Sequence, residues 1–164
     1  MPELDPPRFR RAEPADAERL LEIERAAGLA AMGHIFPRDR FPYPTDAVLA
    51  RWRRTLVEPG VTVLVDAGEQ PVAFVAFDAD IIRHLAVHPD AQGRGLGRAI
   101  VDAAVPHLAE PRLWCLEENH AALAFYARTG WSPTGLTRPS DFEPHPAELQ
   151  LGRTRPGVSR ADYS

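Results

Sequence analysis

Between Val87 and Ile100 the chain reads VHPDAQGRGLGRAI, with glycine at 93, 95 and 97. Glycine costs about 0.5–1 kcal/mol per helical position relative to alanine, so this spacing at the threshold of a helical pattern needs a reason. Anion binding is the chemistry that rewards bare backbone there. The first-turn N–H groups of a helix lack internal partners, the helix dipole adds about half a positive charge, and absent side chains let a phosphate come close. Arg94 adds a charged donor suited to phosphate oxygens. A glycine turn that merely leads into a helix accounts for the same residues structurally. A dinucleotide loop would want G-x-G-x-x-G, whereas this chain has G-x-G-x-G, so the defining spacing is absent. A phosphate-binding P-loop is excluded, because it needs a lysine and all 19 basic residues are arginine.

Other reactive residues are few. His84 and His88 lie on one apolar run whose spacing does not mimic a helical metal pair, no H-E-x-x-H occurs, and no metal is assigned. Cys115 is the single cysteine, which rules out an internal disulfide and a thiolate-rich zinc site. A net charge of −4 is wrong for a duplex nucleic-acid binder. No apolar run reaches about 18 residues, so no membrane span is expected. The first residues, MPELDPPRFRR, lack a secretion signal, and a cytoplasmic location is the expectation.

The elements that must position these residues follow from periodicity. RFRRA (8–12) reads as a strand, and Asp16–Ala27 as a helix with Leu20, Ile23 and Ala27 on one face. Three prolines between His34 and Pro44 forbid regular structure. A second helix starts near Thr45 or Asp46 with Val48, Leu49, Trp52 and Leu56 in phase. Val61–Val65 and Val72–Phe77 form a hairpin, and Ile81–Val87 a further strand. The glycine stretch opens a helix that carries Leu96, Ile100, Ala103 and Ala104 on one face and bends or finishes at Pro106. Leu113–Leu116 is a short strand, and Asn119 caps a helix over His120–Thr129 closed by Gly130. Two last strands fall at Ser132–Thr137 and Ala147–Gly152. This order implies an α+β domain, a mixed sheet flanked by helices, over residues 1–153, with a mobile tail over 154–164.

Val87-x-Pro89-x-x-Gln92-Gly93-Arg94-Gly95-Leu96-Gly97 resembles the acyl-coenzyme A signature of the GNAT acyltransferase superfamily, Q/R-x-x-G-x-G/A after a strand. LWCLEENHAALAFYARTGW (113–131) is similar to its second motif: a strand, Asn, then a helix with Phe-Tyr ending in Gly-Phe or Gly-Trp. The resemblance implies a splayed sheet with acetyl-CoA, or another short acyl-CoA, wedged between the strands Val72–Phe77 and Ile81–Val87. It implies cofactor contacts from Leu85, Ala86 and Val87, from Gln92, Gly93, Arg94, Gly95, Leu96, Gly97 and Arg98, and from Asn119 and Tyr126. An amine would attack the thioester through a tetrahedral intermediate, with the Val87 N–H as oxyanion donor and Tyr126 as the acid for the leaving thiolate. Periodicity alone reads Tyr126 as a core aromatic beside Leu123 and Phe125, and Asn119 as a plain cap.

The base is open. Strand alternation groups Ile81, Arg83, Leu85 and Val87 on one side and Asp80, His84, Ala86 and His88 on the other. The resemblance implies, from many members of that superfamily, a glutamate or histidine near Ile81 or Arg83 on the Val87 face, where this chain has neither, so Asp78, Asp80 or Glu24 through water, or a substrate amine of lowered pKa, remain. Phe36, Phe41, Tyr43 and Arg83 are the candidate acceptor contacts. The expected partner is a small-molecule or peptide amine, not a nucleic acid or a membrane, and a homodimer is compatible with the resemblance. The rival readings are a non-catalytic acyl-CoA sensor on the same fold and an interaction module with a structural glycine loop.

Overall fold

The computed structural model describes residues 8–154. The proposed tail beyond Thr154 lies outside the described residues. Seven strands form one sheet in the order β1-β2-β3-β4-β5-β7-β6, flanked on both faces by four α-helices. β1 (Phe9–Arg11), β2 (Thr62–Asp66), β3 (Ala73–Phe77) and β4 (Ile82–Val87) are antiparallel neighbours. β5 (Arg112–Leu116) runs parallel to β4, and β7 (Ala147–Arg153) and β6 (Trp131–Pro139) complete the far side. This is the mixed, helix-flanked sheet expected from the element order.

Alternation along β3 shows how one sequence serves two faces. All five residues of AFVAF are buried. Ala73, Val75 and Phe77 join Ile82, Leu113, Cys115 and Leu151 on the front face, under Ile100, Val101 and Ala104 of α3 (Leu96–Ala104) and Tyr126 of α4 (His120–Arg128). Phe74 and Ala76 turn to the back face with Val63 and Val65. There they meet Leu20 and Ile23 of α1 (Ala17–Met32) and Val48 and Trp52 of α2 (Thr45–Thr55). A strand buried on both sides has no polar alternation to show, which is why it reads as a continuous apolar run.

Trp52 anchors the back layer. It is fully buried, edge-on to Phe74 with ring centroids 4.8 Å apart. Trp52→Ala should therefore cost about 3–5 kcal/mol in denaturant unfolding, with an unchanged m-value.

Alternation along β4 departs from expectation at one point. Phe77 pairs with Ile82 but Ala76 with His84, so the register shifts and Arg83 is an extra residue in the bulge. Ile82, rather than Ile81 or Arg83, is thereby brought to the front face with Leu85 and Val87. A single inserted residue inverts every parity argument that crosses it.

The position of the splay is also corrected. β3 and β4 are paired from Ala73↔Val87 to Phe77↔Ile82, which leaves no room for a wedge between them. β4 and β5 share only Ile82↔Leu113 and then diverge, so the gap lies between β4 and β5.

Candidate functional site

His88 N–H donates to Val72 O at 2.7 Å, which fixes the direction of every backbone group on β4 behind it. In an antiparallel pair, hydrogen-bonded and non-bonded positions alternate, so Ala86 and His84 spend their N–H and C=O groups on β3. Leu85 and Val87 turn theirs to the opposite edge, where β5 has already diverged. The expectation for Leu85 and Val87 fits this geometry. Ala86 does not, since its main chain faces β3 and its methyl packs in the back layer. Gln92 Nε2 donates to Val87 O at 3.1 Å, a tie between loop and strand that the sequence did not announce.

The glycine loop leaves its main-chain donors open. Gly93 and Gly95 have φ of 79° and 76°, a region that favours glycine, and Gly95 is the N-cap of α3. The third glycine does something else. A Cβ on Gly97 would lie 3.4 Å from Phe125 Cζ and 3.5 Å from Val87 Cγ2, so its bareness lets the first turn of α3 sit against α4 and the end of β4. No carbonyl or side chain among the described residues accepts from the N–H groups of Gly93 to Arg98. Arg94 is exposed, its guanidinium held only by Asp90 O at 3.4 Å, and Arg98 is exposed as well. The loop thus offers a cradle of free amides with two cations beside it.

Beneath the loop the apolar wall continues. Leu85, Val87, Leu96, Ala122, Leu123 and Phe125 pack on the front core while remaining only partly buried. Asn119 caps α4 by accepting from Ala122 N–H through Oδ1 at 3.2 Å, as the capping reading required. Two turns later Tyr126 is 8% exposed, set between Phe125 and Trp131 at centroid distances of 5.2 and 6.0 Å. Its hydroxyl bonds to no described residue. Burial, with Cys115 nearby, raises the phenol above its ordinary value, and burial pushes the Cys115 thiol up to about 12. Both side chains stay protonated at neutral pH, and the tyrosine keeps an uncommitted donor.

Of the candidate carboxylates, Asp78 and Glu24 are otherwise engaged, and Asp80 is exposed on the turn between β3 and β4, at the end of β4 away from Val87. Asp78 accepts from the backbone N–H of Asp80 and Ile81 and pairs with Arg83 at 2.8 Å, and these bonds hold it below the usual carboxylate range despite partial burial. Glu24 accepts from Arg51 and from Trp52 Nε1, the latter at 2.8 Å. His84 is partly buried beside Trp52 at 5.5 Å, and desolvation aided by Arg51 and Arg83 lowers it to about 3, so it is a neutral packed side chain, as its parity suggested. Arg83 itself is bound by Asp78 and Glu58, which leaves it ill placed for a substrate carboxylate.

The segment between α1 and α2 is irregular, as its prolines demand. His34 Nε2 lies 2.8 Å from Glu118 O and its ring stacks on His120, which draws the segment over the ends of β5 and α4. Phe36 and Phe41 are partly buried there, and Tyr43 packs on the back core. A cavity of about 320 Å³ lined by Arg11, Thr62, Phe77, Asp78 and His107 lies at the other end of β3, away from the glycine loop.

Residues 20–131 match the family model of the acetyltransferase (GNAT) family. Peptidyl-lysine N-acetyltransferase YjaB of Escherichia coli is 32% identical over 95 residues, covering 57% of this chain and 65% of that protein, just under two thirds of its length. Its namesake from Salmonella typhimurium is 25% identical over 139 residues, covering 84% and 92%. The solution structure of apo YjaB from E. coli superposes with a TM-score of 0.70 at 24% identity, covering 89% of this chain and 96% of that one. The PaiA N-acetyltransferase of Thermoplasma acidophilum in complex with coenzyme A gives 0.66 at 15% identity, covering 90% and 98%. No described helix is long and apolar enough to cross a membrane.

Proposed function

Since the chain belongs to the GNAT acetyltransferase family and acetyl-CoA is that family's acyl donor, we propose that it transfers acetyl to a primary amine at the gap between β4 and β5. The observation that carries this reading is the set of free amides from Gly93 to Arg98 opening on an apolar wall that leads to Tyr126. The donor supplies an acetyl group activated as a thioester. This chain's residues bind, orient and manage protons. The N–H groups from Gly93 to Arg98 hold the diphosphate at the helix N-terminus, with Arg94 and Arg98 as cationic flanks. Leu85 and Val87 offer main-chain groups to the pantetheine amides, and the Val87 N–H stabilises negative charge developing on the carbonyl oxygen. The Tyr126 hydroxyl donates to the departing sulfur. Asn119 Nδ2, free of the cap, donates along the same arm.

The acceptor is an amine of a small molecule or of a peptide, and the names of the YjaB relatives favour peptidyl lysine among these. It is deprotonated before attack by solvent water, because Asp78 and Glu24 are committed elsewhere, Asp80 stands at the far end of β4 from Val87, and His84 is too weak a base. The decisive assay follows coenzyme thiol release at saturating acetyl-CoA with an array of single-lysine peptides, free amino acids and polyamines. Turnover of none, with coenzyme A still raising Tm, would leave the non-catalytic sensor in its place.

The absence of a committed base makes a pH prediction. kcat/KM rises with pH along one limb that follows the acceptor, levelling near 8 for an α-amino group and near 10.4 for a lysine-type amine, to about those values. A limb that stays put when the acceptor is changed would identify a protein base instead.

A further inference from the structure

The acceptor side of the gap has its own chemistry. On the front face the gap is walled by Leu96, Phe125 and Tyr126, so an amine must come from the back. Leu113 is the last residue of β5 paired with β4, and Trp114 follows it. Leu113 and Cys115 point into the front core, so alternation turns the Trp114 indole to the back face, half-buried. The Arg138 guanidinium carbon sits 4.2 Å from the centroid of that ring, and Arg138 Nε donates to Glu148 Oε2 at 3.1 Å. The Glu148 side chain is 17% exposed and Arg138 is 50% exposed.

An indole face and a half-buried carboxylate converging on one point are the complement of an organic cation. Here the point is filled by the chain's own arginine. That arginine stands on β6, an edge strand that slips register against β7 between Pro133 and Thr137, and its own side chain is half in solvent. The anionic and aromatic members, by contrast, belong to the inner strands β5 and β7, paired from Arg112↔Gly152 to Leu116↔Glu148. The seat lies on paired inner strands and its occupant on the edge.

We infer that Trp114 and Glu148 form a cation seat beside the gap and that Arg138 is a placeholder, displaced by the ammonium of a lysine-like acceptor. The inference rests on the acetyltransferase reading and deepens it, by selecting cationic acceptors over neutral ones. Glu148 and Trp114 bind the charged ground state. They take no part in bond making.

The test measures KM and kcat at saturating acetyl-CoA for two acceptors, a single-lysine peptide drawn from the array and a neutral arylamine, together with the Tm shift given by coenzyme A. Arg138→Ala empties the seat, and KM for the lysine peptide should fall several-fold with kcat little changed. Adding Trp114→Leu or Glu148→Gln to that variant should raise KM for the lysine peptide about tenfold, as the loss of a desolvated cation–π or charge-assisted contact implies. KM for the arylamine and the coenzyme A shift should not move in any variant. Retention of that shift shows that each variant is folded. Equal effects on both acceptors, no effect on either, or no turnover of lysine peptides by the wild-type protein would overturn the seat while leaving the donor site standing. Loss of the coenzyme A shift in the wild-type protein would instead overturn the reading beneath it.

Discussion

Gly95→Val should abolish the stabilisation that coenzyme A confers on the wild-type protein. At a hundredfold excess over Kd that stabilisation is about 2.7 kcal/mol, readable as a rise in Tm. Two effects act together in the variant. Gly95 holds φ of 76° as the N-cap of α3, a conformation that costs an L-residue about 1–2 kcal/mol and a β-branched one more. Relaxing that strain rotates the free amides of the loop out of convergence. The new side chain also enters space that is open in the protein, with nothing within 4 Å of a Cβ built there, on the loop proposed to receive the anion. kcat/KM for acetyl-CoA should fall by at least about a hundredfold, the equivalent of 2.7 kcal/mol of lost binding. Gly95→Asn separates the causes, because asparagine tolerates the left-handed region but still fills the space. Partial retention of binding by Asn over Val assigns the larger share to backbone conformation. A Val variant that binds coenzyme A with unaltered affinity would remove the glycine loop from the donor site.

Tyr126→Phe should lower kcat by about 10²- to 10⁴-fold, the range for loss of a positioned acid, and leave the coenzyme A shift intact. Stability is expected to be unchanged. The hydroxyl has no protein partner among the described residues, so its removal strands no buried donor or acceptor, while the ring contacts to Phe125 and Trp131 survive. That separation of folding from turnover makes the variant informative. The raised phenol pKa also means that no tyrosine ionisation should show below pH 10 in the wild-type profile. Undiminished turnover by the Phe variant would return Tyr126 to the role that periodicity alone suggests, a core aromatic.

Most elements of this protein can be read from local pattern, since each is decided by residues within a few positions of one another. Three prolines break 34–44, Asn119 caps α4, and the apolar phase of Val48 and Trp52 marks α2. The proposed donor site is legible for the same reason. Its anion cradle is one contiguous stretch, and glycines 93 and 95 are chosen for a backbone angle that belongs to the residue itself. α1 runs through Gly28 to Met32, beyond the expected Ala27, because Leu29, Ala30, Ala31 and Met32 are good helix formers and no proline comes before Pro37.

What local pattern does not carry is decided by strands meeting across the sheet. The gap belongs to β4 and β5, not to β3 and β4, yet one signal was present: a strand, a loop, a helix and a strand form a crossover unit whose strands lie parallel, with ligands at their carboxyl ends. The bulge at Arg83 left no such trace, because it arises from the register between β3 and β4, and it alone moved Ile82 to the front and Arg83 to Asp78 and Glu58. Likewise Trp114 stands on a strand remote in sequence from the consecutive strands β6 and β7 that carry Arg138 and Glu148, and only the lateral pairing of β5 with β7 brings the indole to the guanidinium and the carboxylate. Sequence by itself determined the elements, the family and the left-handed glycine turn ahead of α3, which depend on dihedral preference and periodicity. Tertiary structure decided where the sheet opens, which side chains face the opening and which charged groups meet beside Trp114, because register and strand order are properties of pairs.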